Sequence, residues 1–227
     1  MSNIRIFLIR HGQQSSRLCN VNVGLSPQGQ EQARLAGKRL TTYGIESLYC
    51  SELIRAIETA EIIGEAIGLK PIIKPDLQEI NFGGFQGLSD AEIVEKYGDL
   101  RHRIEYGMEE DLHYPDGENG REAGERIRKA LTLLAEEARE HGQNRIAVVT
   151  HGCAMRCFLA GLFGESYAQK YQFSRIMENC SITELVYDTN YDRFNLERLN
   201  DFAHLEGHPD LMRTLWLKKE QTAKERS

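Results

Sequence analysis

The sequence predicts an α/β protein whose ligand site lies where two buried strands end. The first indication is the apolar, β-branched run at residues 4–9, which leads into His11. The second is a similar run at residues 145–150, which leads into His151. Strands that are apolar on both faces are typical of a buried parallel sheet. Because open α/β sheets bind ligands at the carboxyl ends of their strands, we expect the two imidazoles to share one site.

The composition limits the classes of function. The chain has 227 residues, 41% of them hydrophobic, so a single domain over residues 1–227 can bury a core of its own. Its 28 basic and 34 acidic residues give a net charge of -6, which provides no general attraction to nucleic acid or anionic membranes. An anionic substrate would therefore need a local cluster of arginines. No apolar run reaches the ~20 residues that span a bilayer, so we expect a cytoplasmic protein without nucleic-acid or membrane partners.

The remaining segments alternate between helical and extended patterns without an internal repeat or linker. Ser26 and Pro27 predict the start of a helix that ends near Gly44, and Ser51 is suited to cap the next one. The expected order is strand 4–9, helix 26–43, strand 47–50, a helix with an apolar stripe over 53–67, strand 71–74, glycine-rich loop 79–87, one or two short helices in 89–108, helix 121–141, strand 145–150, helix 153–163, a hairpin of strands 181–187 and 194–199, and a terminal helix beyond 207. The segment at about 88–118 is expected to be a helical, lid-like insertion, and residues from about 205 to 227 a tail.

Two histidines, two arginines and one acid could transfer a phosphoryl group through a histidine. A neutral imidazole can attack phosphorus and hold the phosphoryl group covalently. Arg10 and Arg55 offer planar forks for its oxygens, and Glu79 could protonate the leaving alkoxide and later deprotonate water. Gly12 and Gly152, which follow the two histidines, would let the backbone approach the ligand. Each residue alone has an ordinary structural explanation, and the combination favours phosphoryl transfer.

The motifs that carry these residues occur in a recognisable order. They are LIRHG at 8–12, SELIRAIETA at 51–60, LQEINFGGFQG at 77–87 and VVTHG at 148–152. In this order they resemble the histidine phosphatase superfamily, which includes the cofactor-dependent phosphoglycerate mutases. The resemblance extends over about residues 4–200. It implies a phosphoglycerate mutase-like, three-layer α/β/α sandwich with a mostly parallel mixed sheet.

The resemblance also implies a role for each matched residue. His11 would be the phosphorylated nucleophile and Glu79 the proton donor and acceptor. Arg10, Arg55 and His151 would hold the phosphoryl group. No cofactor and no metal are required by this scheme.

The loop after His11 departs from the family pattern. Family members often have Glu after Arg-His-Gly and Asn a few residues later, where this chain has Gln13 and Arg17. The resemblance implies that the loop from Gln13 to Gly24 approaches the phosphate or substrate, with Arg17 either an anion contact or a surface charge. The basic pair and the Glu-Arg-His-Tyr-Gly pattern of the mutases are missing. This favours a histidine acid-type phosphatase that hydrolyses a small phosphorylated metabolite.

Other functions are compatible with some of these residues. A phosphoglycerate mutase would use the same pocket, and a non-catalytic member of the fold would bind a phosphorylated ligand or a partner protein without turnover. His151, Cys153 and Cys157 could begin a metal site, but no fourth ligand is evident. Five cysteines, an odd number, indicate free thiols in a reducing compartment. None is followed six residues later by arginine, as a cysteine-based phosphatase would need, and no Walker loop occurs.

The substrate and the oligomeric state are left open by the sequence. A homodimer would be an ordinary outcome. The segment 89–118 is either a lid that contacts the non-phosphate part of the substrate or a solvated helical insertion. The candidate contacts in it are Tyr97, Arg101, His102, Arg103, Tyr106, His113 and Tyr114.

Overall fold

A computed structural model describes residues 3–107, 109–174 and 176–213. Within these ranges the regular elements are six strands and five α-helices. The strands are β1 (Asn3–Arg10), β2 (Ser47–Cys50), β3 (Ile72–Ile73), β4 (Arg145–Thr150), β5 (Ile182–Asp188) and β6 (Arg193–Asp201). The helices are α1 (Pro27–Leu40), α2 (Ile54–Ile67), α3 (Asp90–Tyr106), α4 (Gly120–Glu140) and α5 (Gly152–Leu162).

The six strands form one mixed sheet in the order β3-β2-β4-β1-β5-β6. β1, β4, β2 and β3 run parallel, and the hairpin β5–β6 is antiparallel to β1. β1 and β4 lie side by side, and their register pairs Arg10 with Thr150. A histidine follows the last residue of each strand, so the register itself brings His11 and His151 together. The predicted α/β sheet is confirmed, and the two histidines lie together at its carboxyl edge.

Alternating side chains of β1 divide the core into two halves. Ile6 and Leu8 belong to a cluster with apolar residues of α4 and α5. Phe7 and Ile9 belong to a second cluster, formed with α1 and α2. Since successive side chains of a strand point to opposite faces, helices cover both faces of the sheet. The three-layer α/β/α architecture is therefore confirmed.

Side chains cap the starts of α1, α3 and α4, and two boundaries differ from prediction. Ser26 caps α1 and accepts a hydrogen bond from the Gly29 N–H at 3.1 Å. α1 then ends at Leu40, before the predicted Tyr43. The prediction that Ser51 caps α2 is wrong: the N-cap is Leu53, which makes no side-chain capping bond.

The edges of the fold are shorter than predicted. The third strand comprises only Ile72–Ile73, which pair with β2 at the sheet edge. Most of the predicted terminal helix beyond 207 lies outside the described residues. The described part contains a short 3-10 turn, Pro209–Leu211.

The insertion contains one bent helix. α3 is interrupted at Tyr97, whose φ of -138° and ψ of 22° are not helical. Ile93 and Ile104 of α3 are buried in a third cluster that also contains Cys153 of α5. The insertion is thus packed over the start of α5. No helix in the described ranges is long and apolar enough to cross a membrane.

Candidate active site

The site lies where β1 and β4 end. The His11 N–H donates to the Thr150 carbonyl at 2.9 Å, which extends the pairing of the two strands by one residue. The imidazole centroids of His11 and His151 are 5.0 Å apart, with ring planes at 52°. Their exposed fractions are 5% and 0%. Both predicted histidines therefore occupy one buried site.

The hydrogen bonds of His11 define its tautomer. Nδ1 lies 2.6 Å from the Gly12 carbonyl oxygen, which can only accept, so Nδ1 carries the proton. The Arg55 Nε–H donates to Nε2 at 3.3 Å. Nε2 therefore holds a lone pair, which is the form that a nitrogen nucleophile requires.

His151 is held by a serine from the neighbouring strand. The Ser51 hydroxyl lies 2.6 Å from Nε2, and both groups are fully buried. Among the described residues Nε2 is the only acceptor bonded to the Ser51 hydroxyl, whose oxygen also accepts from the Leu53 N–H at 3.4 Å, so we assign the hydroxyl proton to the bond with Nε2. In that tautomer Nδ1–H is the donor, and His151 Nδ1 has no hydrogen-bond partner. A buried donor without a partner is available to a ligand.

The two arginines are held by different segments. Arg10 donates from Nη1 to the Met177 carbonyl, and its buried Nε has no hydrogen-bond partner. Arg55 donates to the Val21 carbonyl at 3.0 Å and to Asn20 Oδ1 at 2.6 Å. The predicted pair of guanidinium groups is thus present, and the loop after His11 orients one of them.

Glu79 lies at the amino terminus of α5. Its Oε1 accepts from the Ala154 N–H at 2.7 Å, and its Oε2 accepts from the Cys153 N–H at 3.2 Å. A helix amino terminus is a favourable place for a negative group. Further along this loop, Gly83 has a φ of 48°, and a side chain there would collide with the Pro115 carbonyl. Glycine at this position therefore allows the loop to pack closely against residues 115–117.

Burial and positive neighbours keep both imidazoles neutral. Burial lowers the pKa of His11 well below its usual value, and the charges of His151, Arg55 and Arg10 lower it further. Burial, followed by the charges of Arg55 and Arg10, lowers the pKa of His151 in the same way. At neutral pH His11 is therefore available as a base or nucleophile.

The glycines of the two His-Gly pairs serve packing within the site. A side chain on Gly12 would collide with the backbone of Gly29, and one on Gly152 would press on Arg10 Nε at 3.1 Å. The Gly12 N–H donates to Thr59 Oγ1 at 3.0 Å. The sequence predicts that Gly12 lets a ligand approach the backbone. In the structure, its missing side chain makes room for the backbone of Gly29 in α1.

The other predicted binding residues divide into two groups. Arg17 is exposed and lines the cavity beside the site. Gly24 lies against the Glu58 carboxylate instead of the cavity, and the Gln13 N–H donates to Gln32 Oε1 at 2.9 Å. The side-chain oxygen of Gln13 is buried without a hydrogen-bond partner. Of Gln13, Arg17 and Gly24, Arg17 is the residue that lines the cavity.

A cavity of about 260 Å³ lies between α3 and the residues next to the two histidines, Arg10 and Gly152. Its inner end is formed by Arg10, Glu79 and Gly152, which joins it to the site described above. Aromatic rings and further arginines continue the wall. The lining residues are Arg10, Arg17, Cys19, Glu79, Phe82, Phe85, Asp90, Ile93, Arg101, Glu105, Tyr114, Gly152, Cys153, Arg156, Tyr171 and Arg213.

The insertion contributes part of this wall. Of the candidate contacts in the segment 89–118, Arg101 and Tyr114 line the cavity. The other candidates are absent from the lining: Tyr97, His102, Arg103, Tyr106 and His113. The insertion therefore contributes two of the candidate contacts to the wall of the cavity, and its role as a lid stays a prediction.

Several residues of the site were not found from the sequence. Ser51 was interpreted as a helix cap, although it contacts His151. Asn20 contacts Arg55, and Asn179 donates to the His11 carbonyl at 3.0 Å. No local pattern marks these contacts, because their partners are 35 to 168 residues away in the chain.

No potential metal centre is formed by the residues that the structure describes. Nowhere among them do three His, Cys, Asp or Glu side chains come together in a suitable group. Cys153 and Cys157 are buried in α5 as free thiols, and Cys153 Sγ lies 3.7 Å from the Tyr171 hydroxyl.

Replacing Ser51 by alanine is expected to lower kcat/KM for phosphate esters roughly 10- to 100-fold, because His151 Nε2 would lose the donor that selects its tautomer. Imidazole ¹⁵N shifts of His151 should change from a single Nδ1–H tautomer to a mixture.

Ser47→Ala is the matched control. Ser47 is the first residue of β2, whereas Ser51 follows the last, and the Ser47 hydroxyl donates to Gln143 Oε1 at 2.6 Å. The control should retain wild-type activity and the His151 spectrum. An unchanged His151 spectrum in Ser51→Ala would contradict the assigned tautomer.

Comparison with known proteins agrees with this geometry. A family model for the histidine phosphatase superfamily (branch 1) matches residues 6–202. The probable phosphoglycerate mutase GpmB of Yersinia enterocolitica is 29% identical over 212 residues, which cover 89% of this chain and 95% of that protein.

Solved structures show the same fold. A mycobacterial glucosyl-3-phosphoglycerate phosphatase in complex with inorganic phosphate has a TM-score of 0.77 and 27% identity, covering 88% of this chain and 99% of the other. A phosphoglycerate mutase from Bacillus anthracis has a TM-score of 0.77 at 22% identity, covering 90% and 96%. Because the family model matches residues 6–202, which is most of the chain, the chain belongs to the histidine phosphatase superfamily.

Proposed function

We propose that this protein is a phosphatase that hydrolyses a small phosphorylated metabolite through a phosphohistidine on His11. The observation that carries the proposal is the lone pair of His11 Nε2 beside two unsatisfied buried donor atoms, Arg10 Nε and His151 Nδ1. His11 Nε2 would be the nucleophile, and Arg10 Nε and His151 Nδ1 would donate hydrogen bonds to the phosphoryl oxygens. The similarity to the mycobacterial phosphatase supports hydrolysis as the reaction class.

In the first step, His11 Nε2 attacks phosphorus while the bond from phosphorus to the ester oxygen breaks. Glu79, which lines the cavity, acts in this step as the neutral acid and donates its proton to the leaving alkoxide. Arg10, Arg55 and His151 hold the phosphoryl oxygens, where charge must be stabilised. The product alcohol leaves, and the phosphoryl group remains on the imidazole.

In the second step, a water molecule attacks the phosphohistidine. The Glu79 carboxylate accepts a proton from the water as the new oxygen–phosphorus bond forms and the nitrogen–phosphorus bond breaks. Inorganic phosphate is released, and both His11 and Glu79 return to their starting protonation states. The cycle uses only groups that line or adjoin the cavity.

The alternative is a phosphoglycerate mutase, in which the phosphoryl group returns to the product instead of passing to water. The relatives named phosphoglycerate mutase favour it, and the missing basic pair and loop pattern favour hydrolysis. The acid-type assignment rests on the sequence resemblance and stays a prediction. We also propose that the chain acts as a single domain, without nucleic acid or a membrane.

A panel of sugar phosphates, phosphoglycerates, nucleotides, phosphoamino acids and a phosphopeptide tests this function. We expect release of inorganic phosphate from at least one ester, with one oxygen atom from ¹⁸O-labelled water in the product. Interconversion of 2- and 3-phosphoglycerate with a bisphosphate primer and little phosphate release would establish the mutase instead. Binding of esters without turnover above the His11→Ala background would favour the non-catalytic alternative.

A further inference from the structure

We propose that Asn179 is a positioning residue for phosphoryl transfer, which acts by holding the peptide bond after His11 in place. This inference rests on the proposed function, because it concerns the nucleophile of the same site. The side-chain NH₂ group of Asn179 donates to the His11 carbonyl oxygen at 3.0 Å, and 4% of the residue is exposed. Asn179 is not among the described residues that line the cavity, so it acts on the reaction through His11.

The peptide bond between His11 and Gly12 is held at both ends by buried side chains. Asn179 bonds its carbonyl oxygen, and Thr59 Oγ1 accepts from its N–H at 3.0 Å. The Thr59 hydroxyl is itself fixed, because it donates to the Arg55 carbonyl at 2.6 Å. Two bonds on opposite sides of one planar group oppose its rotation. The constraint matters because glycine restricts its own backbone dihedral angles least.

The orientation of this peptide affects the imidazole of His11. The Gly12 carbonyl is attached to the same peptide through the Gly12 Cα, and it accepts from His11 Nδ1–H at 2.6 Å. If the peptide rotated, this carbonyl would move away from Nδ1. The proton on Nδ1 would then lose the bond that keeps the lone pair on Nε2. A displacement of about 1 Å can lower a reaction rate about 10²-fold, so the hold on this peptide contributes to catalysis.

The segment that carries Asn179, residues 177–181, is fastened to the end of β1. The Cys180 N–H donates to the Arg10 carbonyl at 2.9 Å, and the Arg10 N–H donates to the Ser181 carbonyl at 3.1 Å. Cys180 has a φ of 56°, which is unfavourable for a residue with a side chain. Such a backbone conformation persists only where the surrounding contacts hold it. These contacts therefore fix the backbone on both sides of Asn179.

Asn200 of β6 also fastens this segment. Its Oδ1 accepts from the Glu178 N–H at 2.9 Å, and its Nδ2 donates to the Ile176 carbonyl at 2.9 Å. The Asn200 N–H donates to Thr183 Oγ1 at 3.1 Å. The amide of Asn179 thus reaches His11 from a backbone that is anchored to two strands. A donor held in this way supports the reacting residue without rearranging during the reaction.

Two substitutions of Asn179 test the hydrogen bond. Asn179→Ala removes the donor, and Asn179→Asp keeps the size of the side chain but replaces the donor with a carboxylate oxygen. We expect both to lower kcat for phosphate esters roughly 10- to 100-fold at neutral pH, with KM changed less than about 3-fold. KM should be retained because Arg10, Arg55 and His151 still hold the phosphoryl group.

The pH dependence separates the hydrogen bond from a merely structural role. Burial raises the pKa of a carboxyl group, so the new side chain in Asn179→Asp should become protonated at mildly acidic pH. Its O–H can then donate to the His11 carbonyl. We therefore expect the ratio of kcat in Asn179→Asp to kcat in Asn179→Ala to rise as the pH falls through that pKa. A ratio that is the same at every pH contradicts the proposal.

Imidazole ¹⁵N shifts of His11 give a readout that does not depend on turnover. The wild type should show a single Nδ1–H tautomer, and Asn179→Ala should show a mixture. Thr59→Val removes the hydroxyl at the N–H end of the same peptide, and it provides a second variant if the Asn179 variants do not fold. If the wild type hydrolyses no ester, the proposed function fails, and these spectra still decide on the positioning role.

Asn119→Ala is the matched control. Asn119 also bonds the backbone, since its side-chain oxygen accepts from the Glu122 N–H at 2.9 Å where α4 begins. The control should lose stability, as the loss of a helix cap does, and keep the wild-type kcat and His11 spectrum. A His11 spectrum unchanged in the Asn179 and Thr59 variants overturns the proposal. In an active enzyme an unchanged kcat overturns it as well, and an effect confined to KM would place Asn179 in substrate binding.

Discussion

Replacing His11 by alanine is expected to lower kcat for phosphate esters by a factor of at least about 10⁴, because the attacking atom is removed. Labelling with a ³²P ester should show an acid-labile, alkali-stable phosphoenzyme in the wild type and none in the variant. The variant should still bind phosphate esters through Arg10, Arg55 and His151.

His141→Ala is the control for this experiment. His141 is exposed where α4 ends, before β4 begins, so the whole length of β4 separates it from His151, and its removal should leave labelling unchanged. Circular dichroism and thermal unfolding confirm that each variant is folded. Retention of the labelled phosphoenzyme in His11→Ala would show that another group is the nucleophile.

Replacing Glu79 by glutamine is expected to lower kcat for alkyl phosphates roughly 10²- to 10⁴-fold, because the amide can neither donate to the alkoxide nor accept from water. An aryl phosphate has a leaving group that needs little protonation. With such an ester the variant should release a burst of phenolate and accumulate the phosphohistidine, which rapid-quench labelling measures.

Glu46→Gln is a closely matched control. The Glu46 carboxylate accepts from the Asn144 and Arg145 N–H groups at 2.7 and 2.9 Å, much as Glu79 accepts from Cys153 and Ala154. It lies where β4 begins, at the opposite end of the sheet from the site. Both variants should lose stability to a similar extent, but only Glu79→Gln should alter the kinetics. Equal kinetic effects would mean that Glu79 acts by maintaining the fold.

The parts that could be predicted are those encoded by short stretches of chain. The strands that carry His11 and His151 were predicted because uninterrupted apolar runs mark buried parallel strands. Helix α1 was predicted from Ser26 and Pro27, whose side chains act on the nearest turn. The resemblance supplied Arg55 and Glu79, which the structure brings beside the histidines.

The errors concern residues whose partners are distant in the chain. Ser51 resembled a helix cap because serine commonly has that role, yet its hydroxyl contacts His151, 100 residues later. Gly12 is predicted to let a ligand approach. In the structure, a side chain on Gly12 would collide with the backbone of Gly29, and this is why glycine is needed there. Local preference was overridden in both cases by a tertiary contact.

The sequence by itself determined the fold class, the two strands that end in histidine and the set of residues suited to phosphoryl transfer. Only the tertiary structure decided which donors remain unsatisfied, how Ser51 orients His151, and that Asn179 bonds the His11 carbonyl. The reason is physical. Hydrophobic periodicity and capping act over a few residues, whereas the charge and hydrogen bonding of a buried site depend on every segment that packs around it.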